Sequence, residues 1–133
     1  MNMLERWFKG LADVTRLRIL NLLSQGKLCG CDIQYVLGTT QSNISRHLTY
    51  LKNCGLLQDR RSGYRVYYHL AVSVSLEHRL LFDYLGHALK REEPFVTDLR
   101  NLKAAIKNGA CTVSEWSARH PETNSARFRI AHK

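Results

Sequence analysis

Two cysteines separated by one glycine, Cys29-Gly30-Cys31, are the residues of this 133-residue chain best suited to chemistry. Thiolates are the preferred ligands of soft, thiophilic ions. The two sulfurs are close enough in sequence to reach one ion where the backbone bends, and Gly30 permits the bend. The pair stands just ahead of a helix pattern, and the unpaired amides of a helix N-terminus favour an anionic sulfur. The competing reading is two small buried apolar side chains, a common fate of cysteine. Cys54, before Gly55 at the end of a helix pattern, reads as packing, with the role of third sulfur ligand as its alternative. Cys111, after Gly109-Ala110, reads as exposed and is the favoured third sulfur, from the same chain or from another copy. The same cysteines would serve a thiol-redox or polysulfide sensor, or a structural zinc site. A small cysteine-dependent enzyme using His47 or His69 is a rival from another class, but no phosphate loop or nucleophile elbow accompanies it.

A second set of residues suits nucleic acid. Ile44, Leu48 and Leu51 recur at helical spacing and form an apolar face. Ser42, Ser45, Arg46 and Thr49 form another, with Gln41 at the helix start. Short hydrogen-bonding side chains with one guanidinium match base edges and phosphates in a major groove, which admits one helix. A plain solvated face would carry Glu-Lys pairs; this one has no carboxylate for phosphate to repel. His47 lies beside the apolar face and reads as a packing or positioning residue. Downstream, Arg60, Arg61 and Arg65 flank a turn with Ser62-Gly63 at its tip. A basic hairpin beside such a helix can reach phosphates or a minor groove. Alternation turns Val66, Tyr68 and Leu70 inward and Arg65, Tyr67 and His69 outward.

These residues need a scaffold, and the chain has the means to build one. Its length is that of one domain. A hydrophobic fraction of 44% suits a globular core. Twenty Lys and Arg against 11 Asp and Glu give a net charge of +9, which favours anionic partners. Met1 to Glu5 lack the basic-then-apolar pattern of a signal peptide, and no apolar run approaches the ~20 residues that span a bilayer. A cytoplasmic location follows, in which the cysteines are thiols or ligands instead of disulfides. Helix signals dominate: Leu4, Trp7, Phe8 and Leu11; then Thr15 to Leu23 behind Asp13; then Asp32 to Leu37, stopped by Gly38. A fourth helix opens at Thr39 or Thr40 and runs to about Asn53. Strands are expected at Leu56 to Arg60 and Arg65 to Leu70, then a long helix from Ser75 to Glu92, and a last from Pro94 to Lys107.

The runs Leu11 to Leu20, Leu28-Cys-Gly-Cys-Asp-Ile33, Gln41 to Leu48 and Gly63-Tyr-Arg-Val-Tyr-Tyr68 resemble the ArsR/SmtB family of winged-helix repressors, with the arsenite-responsive branch most similar. The resemblance spans about Leu4 to Leu89. It implies a mostly α, dimeric, winged helix-turn-helix fold over residues 1–109, with a polar tail over 110–133. It implies a homodimer, built from the first and the long later helix, on an inverted-repeat operator. It also implies release by a metal or metalloid: As(III) or Sb(III) as inducer, with Cd(II) or Pb(II) as alternatives, and no cofactor for DNA binding itself. Where the arsenic branch often has a third cysteine, three residues past Cys31, this chain has Gln34. Asp83 and His87 share a helix face of the kind that zinc-sensing members use. Lys90 and Arg91 follow instead of further donors, so that face reads as solvated.

Overall fold

Residues 2–108 are described by the computed structural model. Six helices and three strands follow in the order α1 (Met3–Leu11), α2 (Val14–Leu23), β1 (Leu28–Cys29), α3 (Gly30–Leu37), α4 (Gln41–Asn53), β2 (Leu57–Ser62), β3 (Arg65–Leu70), α5 (Leu76–Ala88) and α6 (Phe95–Lys107). Side chains set the helix starts. Asn2 and Glu5 form a capping box on α1. Asp13 accepts the Arg16 N–H at 3.1 Å, Thr40 the Asn43 N–H at 3.1 Å, and Ser75 the His78 N–H at 3.1 Å. Gly38 closes α3 in the left-handed region (φ 68°) and turns the chain toward α4.

The main core cluster lies where α2, α3, α4 and α6 meet, and Cys29 with Tyr67 forms a second, small one. Ile19, Leu22, Leu23, Ile33, Ile44, Leu48, Leu51, Leu56 and Leu102 are all but inaccessible to solvent. Beside it, α6 is keyed to α2 by polar contacts. Arg18 Nε and Nη2 donate to the two Asp98 oxygens at 2.7 and 2.8 Å, and Asn21 donates to the Phe95 carbonyl at 3.1 Å. His78 is a second polar knot. Its ring packs edge-on to Trp7 at 4.6 Å while its nitrogens meet Ser75 Oγ at 2.7 Å and the Gly55 carbonyl at 2.9 Å. That carbonyl can only accept, so Nε2 carries the proton and Nδ1 takes the serine hydroxyl. Among the described residues no helix is long and apolar enough to cross a membrane.

The structure departs from sequence expectation in several places, β2 among them, which runs over Leu57–Ser62 instead of Leu56 to Arg60. Beside the hairpin lies a third strand: β1 pairs antiparallel with β3, giving the order β1-β3-β2. Leu28 stands opposite Tyr68, and Cys29 opposite Tyr67. Tyr67 is therefore buried, together with Cys29, where simple alternation turned it outward. α3 begins two residues earlier than expected, at Gly30, because Cys29 and Asp32 cap it. α5 ends at Ala88, with Leu89 as its C-cap, and not at Glu92. On α1, Trp7 is turned inward while Leu4 and Phe8 are 54% and 63% exposed, as suits a helix that the family resemblance places in a dimer interface.

The Arg18–Asp98 pair gives a stability prediction. Arg18→Met strands a buried carboxylate and should cost about 3 kcal/mol, the low end for a broken buried pair because Arg18 is part-exposed. Adding Asp98→Leu should restore part of that loss. Urea titration checks it: the midpoint falls for the single variant with its slope unchanged.

Candidate functional site

The thiol pair is built at the junction of β1 and α3. Cys29 ends the strand and is the N-cap of the helix, with extended backbone (φ −82°, ψ 164°). Cys31 and Asp32 occupy the first turn. Cys29 is buried, Cys31 is exposed, and Asp32 is wholly buried. The Cys29 N–H donates to Asp32 Oδ2 at 3.2 Å, and Cys31 Sγ lies 4.0 Å from Oδ1. The donor atoms of Cys29, Cys31 and Asp32 all fall within 4.8 Å of one another. Asp32 was legible in the sequence only as a helix start. The missed signal is its place three residues after Cys29, the spacing of a capping box.

Of the other sequence candidates for ion binding, Cys54, Asp83 and His87 fall outside this cluster. Cys54 is buried at the end of α4, and burial pushes its thiol pKa up. A methyl group placed on Gly10 would come within 3.1 Å of its sulfur, so this is tight packing. Cys111 lies outside the described residues. Asp83 and His87 on α5 gather no third histidine, cysteine or acidic donor among the described residues.

On α4, the expected polar face is presented to solvent. Gln41, Ser42, Ser45, Arg46 and Thr49 are all exposed, while Ile44, Leu48 and Leu51 are buried. Arg46 does not hang loose: its Nη2 donates to Asn43 Oδ1 at 2.6 Å, and Asn43 in turn donates to Thr39 at 3.1 Å. Sequence reading missed Asn43 as the residue that aims the guanidinium. It also missed Arg16. Arg16 donates to the last carbonyls of α1, Gly10 at 2.8 Å and Lys9 at 2.9 Å, and stacks on Tyr50 of α4 at 4.2 Å. Its third nitrogen is 3.4 Å from Nδ1 of buried His47.

The hairpin pairs Arg60 with Tyr67, Arg61 with Val66 and Ser62 with Arg65. Arg60 and Arg65 therefore share one face of the ribbon, and Arg61 takes the other. Gly63 supplies the positive φ (65°) that the two-residue turn requires. Next to it Tyr64 is 86% exposed, with the Arg65 guanidinium 5.5 Å from its ring. A groove of about 370 Å³ runs from the thiol pair to this hairpin. Its walls include Gln34, Gln41 and Ser45 on the helices and Tyr64 and Arg65 on the wing. Gly30 forms part of its floor, since a Cβ there would meet Leu48 at 3.8 Å and Tyr68 at 4.0 Å.

Helices α3 and α4 joined by a tight turn, with a hairpin behind them, define a winged helix-turn-helix domain. Residues 13–59 match the model of the family described as bacterial regulatory protein, arsR family. Over 65 residues the chain is 52% identical to the arsenical resistance operon repressor of Escherichia coli, covering 48% of this chain and 56% of that one. Over 64 residues it is 48% identical to an arsenic resistance transcriptional regulator of Pseudomonas putida, covering 47% and 50%. The chain thus spans about half the length of these relatives. A solved homodimeric winged helix-turn-helix domain from Mycobacterium bovis, described as that of a possible ArsR-family regulator, superposes with a TM-score of 0.58. It is 32% identical, with 68% of this chain and 82% of that one covered. The chain belongs to the ArsR family of bacterial regulatory proteins. Membership of a family of regulators sets aside the cysteine-dependent enzyme.

Burial of His47 pushes its imidazole below the ordinary value; the Arg46 and Arg16 charges add to this and Asp13 opposes it. The unfolded chain, near its ordinary value of about 6.5, therefore binds the proton more tightly than the folded one. Stability should be whole above that pH and fall as pH drops below it. Thermal melts between pH 7.5 and 5 should show that slope, and His47→Gln should flatten it.

Proposed function

We propose that this protein is a homodimeric transcriptional repressor that binds operator DNA and releases it when a thiophilic metalloid, As(III) or Sb(III), is held by cysteine thiolates. The observation that carries the reading is the cluster of Cys29, Cys31 and Asp32 at the β1–α3 junction. One side of that junction pairs with the wing strand β3, and the other is the first turn of the helix that packs on α4. The third sulfur is Cys111, supplied by the tail of residues 110–133. Cd(II) and Pb(II) are soft enough to use the same donors. The arsenic-resistance regulators that match this chain support the choice of metalloid.

In the ligand-free protein, Gln41, Ser42, Ser45, Arg46 and Thr49 face the major groove, and Arg60, Arg61 and Arg65 hold phosphates or the minor groove. Exposed Leu4 and Phe8 on α1, and Leu76, Leu80 and Tyr84 at i, i+4 and i+8 on α5, form the dimer surface. A two-fold dimer reads an inverted repeat. The protein acts in the cytoplasm. An ion that takes both sulfurs pulls on the capping box of α3 and so on the seat of α4. Release requires the ion to bind the DNA-incompetent form better, and a typical coupling of ~1–3 kcal/mol weakens DNA binding ~5–150-fold.

Two tests follow. Cys29→Ser and Cys31→Ser should each keep ligand-free DNA binding yet lose release by arsenite, read by anisotropy of a labelled operator. Normal release in both variants would place the sensor elsewhere, and release by an oxidant without any metalloid would favour thiol-redox sensing. On the DNA side, Arg46→Ala should weaken operator binding more than random-DNA binding. Arg61→Ala should weaken both alike and reduce the salt slope by about one phosphate contact. Equal losses for Arg46→Ala on both DNAs would restrict it to phosphate.

A further inference from the structure

We infer that α6 is a second DNA-binding element, and that its lysines hold backbone phosphates flanking the bases read by α4. This rests on the reading of the protein as an operator-binding repressor and extends its footprint. α6 packs on α2 and α3. Its buried side carries Phe95, Asp98, Leu102 and Ala105, and Asp98 meets α2 through Arg18. Arg100, Lys103 and Lys107 are exposed. At 3.6 residues per turn they share one flank of the helix, about 140–180° round from Asp98. The basic stripe is thus turned away from α2, and α3 is the other helix beside it. In a helix-turn-helix the first helix crosses the DNA backbone while the second enters the groove. That first helix is α3, so the helix packed next to it stands beside the same backbone.

Charge supports the placement. Across α3, α4 and α6 the acidic residues are Asp32 and Asp98, and both are buried. The solvent face of these three helices therefore shows phosphate no carboxylate. Glu93, just ahead of α6, accepts the Thr97 N–H at 3.1 Å and is close enough to Arg100 to feel its charge. Lys103 and Lys107 carry the proposal. Neither forms an ion pair with a described residue. No acid stands three or four positions from either, where a solvated helix surface gains from one. A lysine is a point charge on a flexible stem, which suits contact with phosphate and carries no base readout.

The test uses the reduced full-length chain and an inverted-repeat duplex that the protein selects from a random library. One form is trimmed to the repeat, and the other adds a flank of about one helical turn, roughly 10 base pairs, on each side. Affinity is read by anisotropy against salt concentration. Lys103→Gln with Lys107→Gln removes two lysines from each protomer. The salt slope on the long duplex should then fall by about 3–4, at ~0.9 for each phosphate, and the slope on the trimmed duplex should not change. The preference for the selected duplex over random DNA of the same length should stay as it was. Hydroxyl-radical cleavage should show protection of the outer backbone in the parent chain and its loss in the variant. Protection of the half-sites should remain, which also shows that the variant is folded. An unchanged slope on the long duplex, or an equal fall on both duplexes, overturns the inference and leaves the repressor reading standing. Weaker binding to anionic vesicles or to RNA polymerase with the DNA slope intact gives the stripe another partner and overturns it as well. If the parent chain selects no duplex over random DNA, the repressor reading itself fails.

Discussion

A carboxylate with no access to solvent, Asp32, holds the place where strand becomes helix. It accepts the amide hydrogen of Cys29 at 3.2 Å and so fixes the extended backbone there and the start of α3 in one contact. A buried acceptor of this kind is costly to leave unsatisfied, by roughly 1–3 kcal/mol or more for a charged group. The geometry of both thiols follows from it, because Cys29 is the cap and Cys31 is in the turn being capped. The sulfurs are thus presented by a structural joint, and any ligand that claims them works against the same joint.

A second constraint ties α1, with its exposed apolar face, to α4. Arg16 caps the carbonyl end of α1 and stacks on Tyr50, with His47 beside it. A cation at a helix C-terminus is favoured by the helix dipole, and here it also spans to α4. The face of α1 that carries Leu4 and Phe8 is therefore set in a fixed relation to Arg46 and Thr49.

Much of this was legible in the sequence, for reasons that are local. The polar face of α4 is a matter of helical period, and its lack of carboxylates is plain in the residues. Asp13, Thr40 and Gly38 punctuate helices by short-range chemistry. The hairpin could be read from its turn, and β3 lies where expected. What escaped depends on distant partners. A two-residue strand has no periodicity, so β1 had no signal, and the burial of Tyr67 escaped with it. Arg16 and Arg18, two residues apart on α2, looked alike as helix residues. One reaches α1 and α4, the other Asp98 on α6, eighty positions away.

The shortness of β1 sets an energy scale. Two residue pairs join it to β3. At about 1 kcal/mol net for each intramolecular hydrogen bond, unzipping that seam costs no more than a few kcal/mol. This is the same size as the ~1–3 kcal/mol that an effector usually transmits between sites. A longer strand would clamp the wing beyond the reach of a bound ion. On the proposed reading, the seam beside Cys29 is a mechanical fuse, short enough for chemistry at two sulfurs to part it.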